Sequence, residues 1–181
     1  MIIAIIPAKG NSKRLKNKNI RSLNKKPLIY WTIKHAQKSK IIKKIFVSTD
    51  SQKISNFAQK MNIGVIRRPK KLGGETPIIE VYKHAYQKLK KKYKPKAIVG
   101  LQPDHPDRTV SADKAISIFK KKKIDVLFSR DSKKIKNGSY YIISKKILEN
   151  RIVKKKFIIV DDCTNIHYLS DIKRIEKNEK N

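Results

Sequence analysis

Short apolar runs alternate along this chain with longer stretches in which apolar residues recur every three or four positions. The short runs lack a polar residue at every second position, which is typical of strands that are buried on both faces. We predict strands at the following runs: Ile2–Ile6, Ile45–Ser48, Gly64–Ile66, Ala97–Leu101, Val126–Ser129, Tyr140–Ile143 and Phe157–Val160.

The stretches between these runs have the spacing of amphipathic helices. Proline suits the first helical positions, so Pro27 can open a helix through Ala36 and Pro77 can open a later one, while Ser111 can cap a third. Three apolar stripes mark helix faces: Ile54, Phe57, Ala58 and Met61; Ile78, Tyr82, Ala85, Tyr86 and Leu89; and Ala112, Ala115, Ile116 and Phe119. Strands that alternate with helices predict an α/β fold with a largely parallel sheet covered on both faces.

The length and the cysteine content narrow the class of protein. The chain has 181 residues, of which 39% are hydrophobic, and this suits one domain over residues 1–181 with a basic tail, 173–181, that frays beyond its first turns. We see no signal-peptide pattern and no apolar run near the roughly 18 residues of a membrane span. Cys163 is the single cysteine, which excludes an internal disulfide and is read as an inert thiol. We therefore expect a cytoplasmic protein that does not enter a membrane.

The net charge favours anionic partners. Lys and Arg number 46 against 14 Asp and Glu, which gives a formal charge of +32. The lysines are scattered, and the runs Lys90–Lys92 and Lys120–Lys123 lie at the expected ends of helices, where cations complement the helix dipole. Two interpretations stay open: a compositional bias towards lysine, and a surface that binds nucleic acid non-specifically. Aromatic residues make up only 7% of the chain, which favours the first.

Polar segments follow four of the predicted strands. The first strand runs into the Gly- and Lys-rich loop Pro7–Arg14 and then Lys18-Asn19, which offers cations, backbone N–H groups and close approach at Gly10. The other segments are Val47–Ser51, Arg67–Pro69 and Gln102–Thr109. Because open α/β sheets bind ligands at the carboxyl ends of their strands, we expect one crevice that holds a phosphate group. The loop fits neither the P-loop nor the dinucleotide fingerprint.

In order and spacing these segments resemble the CMP-N-acetylneuraminate synthetases, cytidylyltransferases that activate acidic nine-carbon sugars. The resemblance rests on the motifs IIAIIPAKGNSKRLKNKNI, KPLIYWTIKHA, VSTDS, RRPKKL and LQPDHPDRT within residues 1–109 and, more weakly, on NGSYYI. It implies a Rossmann-like three-layer αβα sandwich with a mostly parallel mixed sheet, of the nucleotide-diphospho-sugar transferase type. It also implies attack of the sugar's anomeric hydroxyl on the α-phosphate of CTP, with release of pyrophosphate and a requirement for Mg²⁺.

The resemblance assigns roles to individual residues. It implies nucleotide binding by Ala8, Lys9, Gly10, Asn11, Ser12, Lys13, Lys18, Asn19, Arg68 and Gln102; catalytic roles for Lys9, Lys13 and Asp104; and sugar binding by Gln102 and Arg108. Lys9 stands where the family usually has Arg, and it keeps the charge without the bidentate fork. For Asp104 two interpretations stay open, a ligand of Mg²⁺ and a loop carboxylate that caps a turn.

The last third of the chain departs from the family pattern. Asn165-Ile166-His167 replaces an Asp-Ile-Asp metal pair. Asp161 and Asp162, a few residues upstream, can substitute for it if the loop shifts, and the alternative is that they are ordinary polar residues at a strand end; Asp162 and His167 are the further candidates for a metal site with Asp104. The short connection 130–139 replaces a long segment that supplies dimer contacts and part of the sugar pocket, and within it Asn137-Gly138 is predicted to form a tight turn.

The sequence also predicts the surroundings of two further residues in the loop that contains Asp104. We expect His105 to lie on the surface of the loop, and we expect Asp107 to pair with Arg108.

Three functions remain in competition. The first is a compact cytidylyltransferase that acts on a sialic, pseudaminic or legionaminic acid; whether it forms a homodimer stays open, because the short connection 130–139 lacks the segment that supplies the family's dimer contacts. The second is a related enzyme that uses another nucleotide and sugar. The third is a family member without catalytic activity that binds nucleotides or nucleic acid, which the altered Asp pair and the basic surface both favour.

Overall fold

The computed structural model describes residues 1–74 and 76–178 and has a seven-stranded β-sheet at its centre. The strands are β1 (Ile2–Pro7), β2 (Ser22–Leu23), β3 (Lys26–Pro27), β4 (Ile42–Thr49), β5 (Gly64–Arg67), β6 (Ala97–Gly100), β7 (Val126–Arg130), β8 (Lys136–Ser144) and β9 (Lys156–Val160). The helices are α1 (Leu28–Gln37), α2 (Gln52–Lys60), α3 (Ile78–Tyr93), α4 (Ala112–Lys121), α5 (Lys145–Leu148) and α6 (Leu169–Asn178).

The strand order of the large sheet is β5-β4-β1-β6-β8-β7-β9, and β2 and β3 form a separate small hairpin. Strands β5, β4, β1 and β6 are parallel, whereas β8 runs antiparallel to both β6 and β7. The prediction of a mostly parallel mixed sheet is therefore confirmed. Every predicted strand falls within or beside an observed one, and β4 begins three residues earlier than expected because Lys43 and Lys44 interrupt its apolar pattern.

Helices cover both faces of the sheet. Side chains of β1 alternate between the faces: Ala4 and Ile6 pack with α1, α2 and α4, and Ile3 and Ile5 pack with α3 and α5. The predicted three-layer sandwich is thus confirmed. A third apolar cluster joins the β2–β3 hairpin and α1 to α6 through Leu23, Leu28, Ile172 and Ile175.

Helix starts follow the expected local chemistry. Pro27 and Pro77 precede α1 and α3, and the Ser111 hydroxyl accepts a hydrogen bond from the Lys114 N–H at the start of α4. Of the predicted basic tail, 173–178 belongs to α6, and 179–181 lie outside the described residues. Across the part of the chain that the structure describes, no helix combines the length and apolar character that a membrane crossing requires.

The predicted turn at Asn137-Gly138 is wrong, because both residues lie inside β8. The turn lies earlier, where the Asp131 N–H donates to the Ile135 carbonyl over 2.9 Å and Lys134 takes a positive φ of 67°. Gly138 is needed for close packing instead: a Cβ there would lie 2.3 Å from Cδ of Gln102. Gly138 therefore marks the place where β8 packs closely against Gln102, the residue two positions after the end of β6.

Candidate functional site

A cleft of about 310 Å³ opens beside the carboxyl ends of β1, β5 and β6. Parallel strands present their carboxyl ends at one edge of the sheet, so the segments that follow them meet there. The cleft is lined by nine residues that the sequence singled out: Lys9, Ser12, Lys13, Lys18, Asn19, Arg68, Gln102, Asp104 and His167. The described lining does not include the other predicted site residues, which are Ala8, Gly10, Asn11, Arg108 and Asp162.

The loop after β1 is held in shape by its own polar groups. The Gly10 N–H donates to Asp50 Oδ1 over 2.8 Å, and a Cβ on Gly10 would lie 2.8 Å from Cβ of Ser51. The glycine therefore serves the packing of this loop on the turn after β4, which differs from the expected role of admitting a ligand. Asn19 Nδ2 donates to the Lys9 carbonyl over 2.8 Å and closes the loop from the other side.

Two buried polar atoms of this loop remain available to a ligand. The Ser12 hydroxyl and Asn19 Oδ1 are buried and have no hydrogen-bond partner among the described residues. Leaving such atoms unpaired costs about 1–3 kcal/mol each, so a polar ligand that pairs with them would gain affinity.

The cleft is strongly cationic. Five basic side chains line it, and within residues 1–74 and 76–178 Asp104 is the only carboxylate of the lining; the basic residues are Lys9, Lys13, Arg14, Lys18 and Arg68. Arg68 is 7% exposed, and its Nη2 lies 3.5 Å from Asp50 Oδ1. Burial lowers the pKa of Arg68, while the Asp50 charge opposes that change. This charge distribution is suited to a polyphosphate.

Asp104 and Lys18 form an ion pair inside the cleft. Lys18 Nζ lies 2.7 Å from Asp104 Oδ2 and donates to the Ile166 carbonyl over 2.9 Å. Burial alone would raise the pKa of Asp104, but the nearby His105 ring and the hydrogen-bonded Lys18 ammonium outweigh it and hold the pKa well below its usual range. Asp104 is therefore ionised at neutral pH.

The expectation that His105 lies on the surface is wrong. Its side chain is fully buried, and its Nδ1 lies 3.1 Å from Asp104 Oδ1. The short Pro-Asp-His-Pro segment turns the ring inward behind the carboxylate, an orientation that a polar loop sequence does not reveal.

The three predicted metal ligands are not all brought together: Asp104 and His167 line the cleft, whereas Asp162 does not. Asp162 Oδ1 accepts from the Ser132 N–H over 2.6 Å and lines a separate cavity, and His167 Nδ1 lies 2.7 Å from Arg14 Nη1. No cluster of three or more His, Cys, Asp or Glu side chains suited to a metal occurs in the described parts of the chain. Mg²⁺ is often held by one or two carboxylates and completed by substrate phosphates, so Asp104 fits as a single protein ligand and Asp162 does not.

Arg108 does not face the cleft, contrary to the expected sugar contact. Its guanidinium lies 5.9 Å from the centre of the buried Tyr140 ring, and burial lowers its pKa. The expected pair between Asp107 and Arg108 is also absent: Asp107 Oδ1 accepts from the Thr164 N–H over 2.9 Å.

Asp161 holds two loops together. Its carboxylate is fully buried and accepts from the N–H and hydroxyl of Thr109, at 2.8 and 2.7 Å, and from the Val110 N–H at 3.0 Å. Burial would raise the pKa of Asp161, but the nearby Ser139 hydroxyl and the hydrogen bonds from Thr109 and Val110 lower it overall. Asp161 thus anchors the segment that enters α4 through Oδ1, while its Oδ2 is buried without a hydrogen-bond partner among the described residues.

Gly138 and Arg14 are site residues that sequence reasoning left without a role. Gly138 leaves room for the Gln102 amide, which lines the cleft, and Arg14 contacts the His167 ring at its rim. The position of Arg14 in the basic loop after β1 could have indicated its place in the site. The role of Gly138 could not be read in the same way, because an Asn-Gly pair is typical of a tight turn.

The mixed sheet and the cationic cleft at its carboxyl edge define a Rossmann-like fold of the nucleotide-diphospho-sugar transferase class. A sequence model of the family described as Cytidylyltransferase matches residues 3–180. The chain therefore belongs to the cytidylyltransferase family.

Relatives agree with this assignment over part of their length. The chain is 40% identical over 85 residues to the N-acylneuraminate cytidylyltransferase of Escherichia coli O18:K1:H7, which covers 46% of this chain and 20% of that enzyme. It is 51% identical over 59 residues to the CMP-N,N'-diacetyllegionaminic acid synthase of Campylobacter jejuni, which covers 33% of this chain and 25% of that enzyme. The chain thus matches a quarter or less of the length of these relatives.

The fold is also that of a solved synthetase. The structure of CMP:2-keto-3-deoxy-manno-octonic acid synthetase complexed with CTP superposes with a TM-score of 0.79 at 12% identity, over 99% of this chain and 98% of that one. At this identity the likeness concerns the fold alone.

Proposed function

We propose that this protein transfers a cytidylyl group from CTP to an acidic sugar and yields a CMP-sugar and pyrophosphate. The single observation that carries the proposal is the convergence of five basic side chains and one ionised carboxylate on the cleft of a cytidylyltransferase fold. The named relatives act on N-acylneuraminate and on N,N'-diacetyllegionaminic acid, so we place the substrate among the nonulosonic acids.

The roles divide along the cleft. Lys9 and Lys13 neutralise the triphosphate, and Ser12 and Asn19 contribute the buried polar atoms that still lack partners. Arg68, at the far wall, contacts the cytosine, because a buried guanidinium with donors to spare suits the acceptor edge of that base.

The reaction needs little covalent chemistry from the protein. The sugar hydroxyl oxygen attacks the α-phosphorus and gives up its proton to water, the bond from that phosphorus to the bridging oxygen breaks, and pyrophosphate leaves with the electron pair. Catalysis of this kind comes mainly from positioning and from neutralising charge on the phosphates. Lys9 and Lys13 stabilise the charge that develops on the pyrophosphate, and Gln102 orients the sugar beside Asp104.

Mg²⁺ is part of the proposal in a limited form. Asp104 would hold it together with phosphate oxygens of the nucleotide, and the ion would supply further neutralisation of the triphosphate. Lys18 supplies a positive charge at the same carboxylate.

A second candidate function is binding of nucleotides or nucleic acid without catalysis. The observation that favours it is the formal charge of +32 together with a cleft whose described lining holds a single carboxylate. A cytoplasmic location, a homodimer and non-specific binding of nucleic acid likewise remain proposals; phosphate neutralisation would make such binding weaken steeply as salt rises.

Pyrophosphate release tests the proposed function. The protein is incubated with CTP, Mg²⁺ and a panel of sialic, pseudaminic and legionaminic acids. CTP is then replaced by each of the other nucleoside triphosphates in turn. We expect release with CTP and at least one of these acids. Release with another nucleotide alone would favour the related enzyme, and no release from folded protein that still binds CTP would favour the non-catalytic function.

A further inference from the structure

Arg108 lies outside the cleft, yet its hydrogen bonds end on the segment that forms the cleft wall. Its Nη2 donates to the Gln102 carbonyl over 2.5 Å, and its Nη1 donates to the His105 carbonyl. These two carbonyls bracket Asp104 in the sequence. One planar group therefore holds both ends of the turn that presents Asp104 and Gln102.

The same guanidinium is anchored on two rigid elements. Nε donates to the Ser139 carbonyl in β8, and Nη1 donates to Thr32 Oγ1 in α1, each over 3.0 Å. Ser139 and Thr32 are fully buried. A guanidinium carries five donors in a fixed plane, so it can join a loop to a strand and a helix at once, which the point charge of a lysine cannot do.

The held segment is coupled to the rest of the site. The Gln102 amide packs against Gly138, and the Asp104 carbonyl accepts from the Ile166 N–H over 2.9 Å, while its carboxylate pairs with Lys18. A displacement of about 1 Å at a reacting group can cost about 10²-fold in rate. The turn 102–105 must therefore be fixed from inside the protein to keep these contacts in register.

We propose that Arg108 is a positioning residue that sets Gln102 and Asp104 for cytidylyl transfer, in place of the direct sugar contact that the sequence implied. This inference rests on the proposed function. It assigns to Arg108 an effect on turnover that is separate from nucleotide affinity, because the hydrogen bonds of Arg108 end on Gln102, His105, Ser139 and Thr32, none of which belongs to the loop after β1.

The test combines kinetics with hydrogen exchange in the full chain. The variants are Arg108→Met, Arg108→Lys and Thr32→Val, and Arg151→Lys on the exposed turn after α5 is the matched control. We expect Arg108→Met and Arg108→Lys to lower kcat about 10²-fold and Thr32→Val to lower it less, with the Kd for CTP within about threefold of the wild type. Amides of residues 101–107 should exchange faster, and those of residues 2–19 should not change.

Each other outcome overturns one of the two ideas. A sugar KM raised tenfold or more with kcat unchanged would make Arg108 a sugar ligand and overturn the positioning role. Unchanged exchange at 101–107, or a parallel loss of CTP binding and of protection at 2–19, would also overturn it. Absence of pyrophosphate release by the wild type would overturn the proposed function alone, since exchange at 101–107 still decides the role of Arg108. If Arg108→Met does not fold, Arg108→Lys and Thr32→Val give the same readouts.

Discussion

The two walls of the cleft are built in different ways. The first wall is the loop after β1, where Lys9, Ser12 and Lys13 are close in sequence and face the cleft. The second wall is formed by Gln102, Pro103, Asp104 and His167. The segments that carry them, 102–110 and 161–167, are far apart in sequence and are joined by Asp161 and by the backbone bond from Ile166 to Asp104. The difference shows that the positive charges that bind the triphosphate come from residues close together in sequence. The positions of the groups needed for turnover depend instead on polar contacts between residues far apart in sequence.

The largest effect is expected at the first wall. Lys9→Met should lower kcat/KM about 10²–10³-fold, because it removes a preorganised positive charge from the triphosphate site. Lys16→Met is the matched control, since Lys16 is exposed on the same loop and lies outside the cleft lining. Steady-state pyrophosphate release measures both variants. Equal losses in the two would mean that net charge alone, and not the cleft, governs the rate.

The next effect concerns the pH dependence of stability at the contact between α1 and β8, which reaches the segment 102–110 through the bond from the Tyr140 hydroxyl to the Val110 carbonyl. Burial first, and the Arg108 charge second, lower the pKa of His35 to about 4, and the ring lies against the Tyr140 hydroxyl. The unfolded chain, with a His pKa of about 6.5, binds more protons between these values, so stability is full above pH 6.5 and falls as the pH drops to 4.

That loss should amount to about 2–3 kcal/mol for the wild type, as measured by urea unfolding at several pH values. His35→Gln cannot titrate and should lack this part of the slope. Parallel curves for the two proteins would contradict the assignment of the slope to His35.

A smaller effect is expected when the link between the two loops is weakened. Asp161→Asn should lower the free energy of unfolding by about 1–3 kcal/mol, because a neutral amide oxygen is a weaker acceptor than the charged carboxylate for the three bonds from Thr109 and Val110. Asp162→Asn, at the exposed neighbour, should change it by less than about 0.5 kcal/mol. Denaturant midpoints of the pair give the comparison, and similar midpoints would show that Asp161 does not hold the loops.

The smallest effect is expected at the contact between the second wall and β8. Gly138→Ala places a methyl group where the Gln102 amide lies, so Gln102 must turn aside. We expect the KM for the sugar to rise several-fold and the KM for CTP to stay near that of the wild type, as initial rates at varied sugar would show. A rise in the KM for CTP instead would place Gln102 at the nucleotide.

The same division explains what could be predicted from the sequence. The sheet followed from continuous apolar runs such as Ile2–Ile6, and the first wall followed from a loop whose functional residues are neighbours. The second wall did not, because Arg108 bonds to backbone carbonyls, which carry no sequence signature. The predictions that His105 lies on the surface and that Asp162 joins the metal site failed for a related reason. The backbone geometry of a loop sets the orientation of both side chains.

The central claim is that the cationic cleft holds CTP for attack by an acidic sugar. Phosphorus NMR of the protein with CTP, Mg²⁺ and a nonulosonic acid tests it most directly, since it separates the CMP-sugar phosphodiester, pyrophosphate and unreacted CTP in one spectrum. We predict that the first two signals grow together in equal amounts with the wild type and at least about 10²-fold more slowly with Lys9→Met. CTP that stays unchanged with every acid, or pyrophosphate that appears without a sugar phosphodiester, would contradict the account.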